Sequence, residues 1–528
     1  MSTSAPQRFR LRLLSIAAIA LVSVFAIVNR SATAAAQNDD LQHVIVLHTN
    51  DIHGQILPLP ATWLVDKDPI PNTGGLERVG FHIERIRADA EAQGIPIFVF
   101  DAGDWFQGTP EGAIDKGALF IDAMQHVSWD AMVVGNHEFD HGVETTHKLF
   151  EGSKLPMVMA NATYPKGKPF PNVEPWRIIE SGGLRVAAVG ILSDHTPAMT
   201  HSSTRELEWK GHTEALRAAI KELEKLPKRK RVDLIIPITH IGIDQDRVLA
   251  KDFPELPLIV GGHSHTVLRK GAREGNTRIV QAGSKGRSIG RVDLYLDPHT
   301  KEVKRSFASL IDLLDDPEGE HANPKLKAAC ANLVKRTEEE WDKTVGTLTA
   351  DLVRRGPNYS STPAGNLVCD LMRARTGADV SFNNRGGIRA TLEAGEVTRR
   401  DLFNVLPFDN ALVTLQVSGT DLMDIIKNGI ERDGTGIEFS GLLVKVSLEG
   451  ERAKITGVDV GGEPLDPERT YAITTNSFLA DGASGFESLK DIEERQVDPI
   501  LQRDLFIQAL EAGPVTPPTD DRYQVTGR

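Results

Sequence analysis

Five short apolar runs, each followed within a few residues by histidine, aspartate or asparagine, constrain this chain more than any other feature. The runs are His43–Leu47, Ile95–Phe100, Ala131–Val134, Val232–Ile238 and Leu256–Val260. They are rich in β-branched and aromatic residues and are separated by polar clusters and helical stretches, so they read as buried strands of an α/β layered domain running from His43 to about Asp297. The residues that follow them are Asp51 and His53, then Asp104, then Asn136 and His137, then His240, then His263 and His265. In open α/β sheets the ligand crevice lies beyond the carboxyl ends of the strands, so these side chains are expected to converge there. An extended backbone would point Asp51 and His53 to one side, and likewise His263 and His265, because side chains two apart on a strand share a face.

Carboxylate oxygen together with imidazole nitrogen suits a divalent first-row metal, and two cysteines in 528 residues leave no thiolate zinc site. Seven candidate ligands, Asp51, His53, Asp104, Asn136, His240, His263 and His265, are too many for one ion and enough for two if a carboxylate bridges. Paired ions stabilise both oxygens of an in-line displacement, which is the chemistry of phosphoester hydrolysis. One Asp-x-His or Gly-x-His pair alone is more often a turn or a cap. The weight lies in five such pieces, each after a strand in one domain.

The formal charge of −13 repels phosphate backbones and argues against a nucleic-acid binder, while leaving room for a local basic pocket. At the amino terminus, Arg8, Arg10 and Arg12 precede an uncharged run from Leu13 to Val28. That run is shorter than the roughly 20 residues of a membrane span, and Ala34–Ala36 offers a cleavage site, so residues 1–36 read as a signal peptide and the body as secreted or periplasmic. An uncleaved segment would instead act as a membrane anchor. Cys330 and Cys369 could pair in an oxidising compartment. An acidic Pro/Gly turn at Asp315–Glu320 and a charged helical segment from about Pro324 to Trp341 mark a connector, giving a catalytic domain at 37–310, a linker with a connecting helix at 311–344 and an α+β domain at 345–528 that includes a hairpin-like Asp433–Gly436.

Leu47–Gly54, Asp101–Asp104, Gly135–Asp140 and Gly261–His265 together resemble the calcineurin-type metallophosphoesterases, specifically their exported 5′-nucleotidase and UDP-sugar hydrolase branch. The resemblance implies a layered α/β/β/α catalytic domain followed by an α+β 5′-nucleotidase carboxy-terminal domain. It also implies two divalent ions, with zinc, manganese and cobalt the expected metals. By analogy Asp51, His53, Asp104 and His265 hold one ion, and Asp104, Asn136, His240 and His263 hold the other, with Asp104 bridging. His265 stands where several members of this branch carry an amide. His137 follows ligand Asn136 and precedes Asp140 by three residues, so it is assigned to stabilise the transferring phosphoryl group and protonate the leaving oxygen, with Asp140 orienting it. His141 and His147 are expected at the surface or in packing.

On the substrate side, Phe382–Arg389 combines glycines that allow close backbone approach with two arginines suited to an anion. The resemblance places Asn384 and Arg389 at the substrate phosphate or ribose, with Arg385 as a local addition. The other reading of such an arginine is a structural pair with Glu393 or Glu396. The resemblance also makes Phe408 and Phe478 the two rings that sandwich a base, with Asn410 at the base edge. Two positions depart from the family pattern: Ser484 replaces an acid that binds ribose hydroxyls, and Asn358 replaces a phosphate-binding arginine, with Arg354 and Arg355 nearby. The expected function is an exported two-metal phosphohydrolase acting on a small nucleotide. The rivals are a 2′,3′-cyclic nucleotide phosphodiesterase, a UDP-sugar hydrolase, a hydrolase of thiosulfate-type esters, and a non-catalytic nucleotide or metal binder.

Overall fold

The computed structural model describes residues 41–61, 63–64, 67, 69–314, 323–431, 436–449, 452–492 and 494–526. Residues 1–36, expected as a signal peptide, the expected Asp315–Glu320 turn and most of the expected Asp433–Gly436 hairpin lie outside the described residues. Among those described, no helix is long and apolar enough to cross a membrane.

The five apolar runs form strands, and they divide between two sheets. Gln42–Thr49, Ile97–Asp101 and Ala131–Val133 pair in parallel within a seven-stranded sheet, while Leu234–His240 and Leu258–Gly261 pair in parallel within a six-stranded one. The sheets stack because each strand buries alternate side chains on its inner face. Val44, Val46, Phe98 and Phe100 of one meet Val186, Ala188, Ile236 and Ile238 of the other in a buried apolar core. The opposite faces are covered by helices. Leu76–Ala92 and its neighbours lie over the first sheet, and His212–Glu224 and Ile243–Asp252 over the second, which gives the α/β/β/α order.

A sixth strand, Leu184–Leu192, runs parallel beside Leu234–His240 in the second sheet, one place in from its edge. Sequence reading passed over it because Ala187, Ala188 and Gly190 dilute its β-branched character.

The helix Pro324–Trp341 begins at Asn323, whose side chain accepts from the Lys325 N–H. It is no free tether. Leu326, Cys330 and Leu333 are inserted in the helix-side core of the first domain, and Gly80 is small enough to let Leu326 sit against its helix. The chain then builds a five-stranded sheet with Val380–Asn384, Thr470–Asn476 and Ala411–Ser418 at its centre, and a four-stranded sheet around Leu442–Glu449. Helices Pro363–Thr376, Gly419–Glu431 and Gln502–Ala512 pack on these. Cys330 and Cys369 are both free and buried, one in each domain.

Candidate active site

Asp51, Asp104, Asn136, His240 and His263 each sit at or just beyond the carboxyl end of one of the five strands, so stacking the sheets brings all five strand ends to one place. The backbone that delivers the side chains differs from the extended form their spacing implied. Asp51, His53, Asp104, His263 and His265 have φ of 53, 51, 59, 76 and 53°. Left-handed backbone at a non-glycine residue costs roughly 1–3 kcal/mol and persists only where surrounding structure enforces it. Here Asp51 N donates to Gly103 O at 2.9 Å and His53 N to Asp104 O at 3.0 Å, which ties the two ligand loops together.

Two donor groups result, Asp51 with His53 and His265, and Asp104 with His240 and His263; within each, all ligand atoms lie within 4.8 Å of one another. His265 Nε2 is 3.2 Å from Asp51 Oδ1, and His240 Nε2 is 3.1 Å from Asp104 Oδ2. Asp104 Oδ2 also lies 3.9 Å from His53 Nε2, which puts this carboxylate between the groups. Asn136 Oδ1 is 2.9 Å from His263 Nδ1.

The donor chemistry fits divalent cations. His53 Nδ1 donates to Gln107 O at 2.8 Å and His240 Nδ1 to Ala102 O at 2.6 Å, so each ring presents a bare Nε2 to the centre. The His53 and His265 Nε2 atoms face each other at 2.9 Å, and buried His240 Nε2 faces the Asp104 carboxylate at 3.1 Å. Lone pairs aimed at common points are what a cation satisfies. Burial opposes charge on His240, yet the Asp104 and Asp51 carboxylates outweigh it and push the imidazole up to about 10, a measure of how strongly this locus attracts positive charge.

His137 Nδ1 lies 2.6 Å from Asp140 Oδ2, and Thr200 Oγ1 donates to Asp140 Oδ1 at 2.8 Å. Both Asp140 oxygens therefore go to side chains rather than to a helix cap, and His137 Nε2 is left 3.9 Å from Asp104 Oδ2. Burial again opposes charge on His137, but Asp140 and Asp104 prevail and raise it to about 9. The ring stacks on Phe408 of the second domain at 5.6 Å between centroids.

Behind the ligands lie buried carboxylates that sequence reading did not single out. Glu138 accepts from Gly135 N at 2.7 Å, Asp104 N at 3.1 Å and Trp105 N at 2.7 Å. Burial and the neighbouring Asp104 carboxylate push it up to about 8, so holding it ionised at neutral pH takes positive charge nearby. Gly135 leaves room for this, since a Cβ there would stand 2.2 Å from Asp104 Oδ1. Asp101 accepts from Thr49 Oγ1 at 2.6 Å and Trp105 Nε1 at 2.8 Å, and Asp246 from Thr239 Oγ1 at 2.6 Å; burial raises both to about 7. A Glu adjoining a His and an Asp closing a strand carry no spacing that marks such roles in advance.

The two domains meet over this centre. Gln107 Nε2 donates to Pro407 O at 3.0 Å and Ser484 N to Ala198 O at 2.8 Å. Between the domains lies a cavity of about 360 Å³ lined by His137, Asn384, Arg389, Phe408, Asn410, Phe478 and Ser484. Arg385 is outside that lining: its Nε lies 3.0 Å from buried Glu438 Oε1, so it is a structural arginine, paired with Glu438 rather than with Glu393 or Glu396. The first domain contributes Thr200, His201 and Arg205 to the same lining, unanticipated residues from the polar segment after strand Leu184–Leu192. His141 stacks on Phe106 and also borders this cavity, while His147 Nδ1 lies 2.8 Å from the Tyr164 hydroxyl.

A second cavity of about 480 Å³ opens on the His53 and His265 side and is lined by Lys285, Arg287, Arg354, Arg355 and Arg389. Burial, then the neighbouring Arg287, Arg389 and Arg354, pull Lys285 down to about 8.

Residues 45–267 match the calcineurin-like phosphoesterase family and residues 344–491 the 5′-nucleotidase carboxy-terminal domain. The 5′-nucleotidase of Vibrio cholerae is 27% identical over 512 residues, covering 87% of this chain and 89% of that protein. Protein UshA of Escherichia coli is 25% identical, covering 89% and 91%. The crystal structure of a 5′-nucleotidase precursor from Thermus thermophilus superposes with a TM-score of 0.79 at 25% identity, over 92% of this chain and all of that one. The paired donor groups, the stacked sheets and both family matches agree: the chain belongs to the calcineurin-like metallophosphoesterases that carry a 5′-nucleotidase carboxy-terminal domain, and it is a metal-dependent phosphoesterase of the 5′-nucleotidase type.

Proposed function

We propose that the protein is an exported two-metal phosphohydrolase that releases phosphate from nucleotides. The observation that carries this reading is the placement of two adjacent donor groups, with Asp104 between them, under a cavity that holds His137, Arg389, Phe408 and Phe478. In it Asp51, His53, Asp104 and His265 hold one ion, and Asp104, Asn136, His240 and His263 the other. Divalent ions bound there supply Lewis-acid polarisation of the phosphoryl oxygens and a water of lowered pKa.

The chain's own residues do the rest. Asp140 fixes His137 by its Nδ1, which leaves Nε2 free to carry a proton to the leaving oxygen. The rings of Phe408 and Phe478 offer flat faces to a base, Asn410 an edge contact, and Asn384 and Arg389 donors to phosphate or ribose. Arg389 already lies over Phe408, 5.9 Å from the ring centroid, so base stacking and phosphate binding are mechanically linked. Ser484, in the left-handed region at φ 53°, stands at the sugar end in place of an acid, and sugar specificity is the property most open to differ from the relatives. Export rests on the arginine-flanked apolar segment and the Ala34–Ala36 site.

The test is a substrate panel of AMP, UDP-glucose, 2′,3′-cyclic AMP and a thiosulfate ester, with purified protein at several divalent ions, before and after EDTA. Metal-dependent phosphate release from AMP supports the reading. No release from AMP beside rapid turnover of another panel member overturns it.

A further inference from the structure

His137 and Asp140 face each other because a tight turn carries them. His137–Phe139 forms a 3₁₀ turn that Asp140 closes, and at about three residues per turn the side chains at i and i+3 stand one above the other. The turn thus delivers a carboxylate to His137 Nδ1, at 2.6 Å from Oδ2. It does not orient that carboxylate. The last torsion of an aspartate is broad and two-fold, so a single hydrogen bond at Oδ2 leaves the group free to swing and to carry the imidazole with it.

The second hold comes from 60 residues further along the chain, where the buried Thr200 donates from Oγ1 to Asp140 Oδ1 at 2.8 Å. Thr200 lies between the short turns Thr196–Ala198 and Ser202–Glu206, and its neighbours fix it against the dyad. Ser203 Oγ accepts from Val143 N at 3.0 Å. The His201 ring covers Gly142, where a Cβ would stand 3.1 Å from Nδ1. On the far side, Ala198 O accepts from Ser484 N of the second domain at 2.8 Å. Thr200 also lines the aromatic cavity, yet a hydroxyl has one hydrogen to give, and this one goes to the carboxylate.

We propose that Thr200 is a positioning residue of the hydrolysis: its hydroxyl sets the plane of the Asp140 carboxylate and, through it, the direction in which His137 Nε2 points. The inference rests on the dyad reading above and deepens it. Thr200 belongs to neither donor group, so it acts through Asp140 and His137 and takes no part in holding ions.

The test separates hydroxyl from shape on the full chain. Thr200→Val keeps the shape without the hydroxyl, and Thr200→Ser keeps the hydroxyl without the methyl; Thr200→Ala replaces the former should valine fold poorly. A misplacement of about 1 Å costs on the order of 100-fold, so Thr200→Val is expected to lower kcat for AMP about 10- to 100-fold with KM within about twofold, and Thr200→Ser to recover most of the loss. In a His137→Ala background Thr200→Val is expected to cost nothing further, because no imidazole is left to aim. With p-nitrophenyl phosphate, whose leaving group departs without a proton, the loss is expected to shrink to about threefold or less. A readout free of turnover is the low-field proton resonance of His137 Nδ1–H, assigned by its absence in His137→Ala. It is expected to shift and broaden in Thr200→Val and to return in Thr200→Ser. A resonance that Thr200→Val leaves unchanged overturns the proposal, as does a loss of kcat that serine does not restore or that persists undiminished without His137. A shifted resonance beside equal losses on both esters upholds the placement by Thr200 and removes His137 as proton donor, so the two failures are distinguishable.

Discussion

Removing the Glu138 carboxylate is the sharpest test of how the ligand loops are held. Its two oxygens accept three backbone N–H groups, from Gly135, Asp104 and Trp105, at 2.7, 3.1 and 2.7 Å. In Glu138→Ala all three donors lose their acceptor in a buried setting. An unsatisfied buried donor costs about 1–3 kcal/mol. Water entering the space left by the side chain offsets part of this, so about 3–6 kcal/mol is expected for the three, a large share of the roughly 5–15 kcal/mol that holds a folded domain together. At about 2–4 °C per kcal/mol for a domain of roughly 150–250 residues, and toward the lower figure for this somewhat longer one, the first domain's melting point falls by roughly 6–15 °C. Asp104 depends on the same anchor for its left-handed conformation at φ 59°, so divalent-metal affinity falls by about 10- to 100-fold as well. Thermal unfolding of metal-free protein gives the first quantity, and competition against a chelating dye the second. A melting point within about 2 °C of wild type together with unchanged metal affinity would refute the reasoning.

Other substitutions separate the remaining parts of the account. His137→Ala is expected to lower kcat about 10²- to 10⁴-fold with metal content unchanged by elemental analysis; near-normal turnover removes the dyad from the mechanism. Phe478→Ala is expected to raise KM for AMP by about 5- to 150-fold, as the loss of one stacked ring costs about 1–3 kcal/mol, and an unaltered KM places the base elsewhere. Gly290→Ala would put a Cβ 1.8 Å from Nε2 of buried His48, and the overpacking is expected to cost about 1–3 kcal/mol in urea unfolding without changing KM; a neutral result means that the strand pair yields more easily than its register implies.

The parts of the fold legible in the sequence were those written in apolar runs. The strands closing at Thr49, Asp101, Val133, His240 and Gly261 are continuous hydrophobic stretches with a polar stop, and the stops coincide with the ligands. The split of these strands between two sheets came from the family resemblance, since periodicity does not say which strands pair. The left-handed backbone at Asp51 and His265 was hidden for another reason: glycine advertises positive φ, whereas aspartate and histidine adopt it only under tertiary constraint. Long-range pairs were equally invisible. Arg385 finds Glu438, and Asp140 finds Thr200, across sequence separations that no local pattern bridges.

The central claim is a paired-cation site shared through Asp104, and anomalous diffraction from crystals soaked in manganese measures it directly. Two peaks are predicted, one among Asp51, His53 and His265 and one among Asp104, His240 and His263, with the Asp104 carboxylate touching both. Density for manganese at neither position, or only at a site remote from these side chains, would contradict the account.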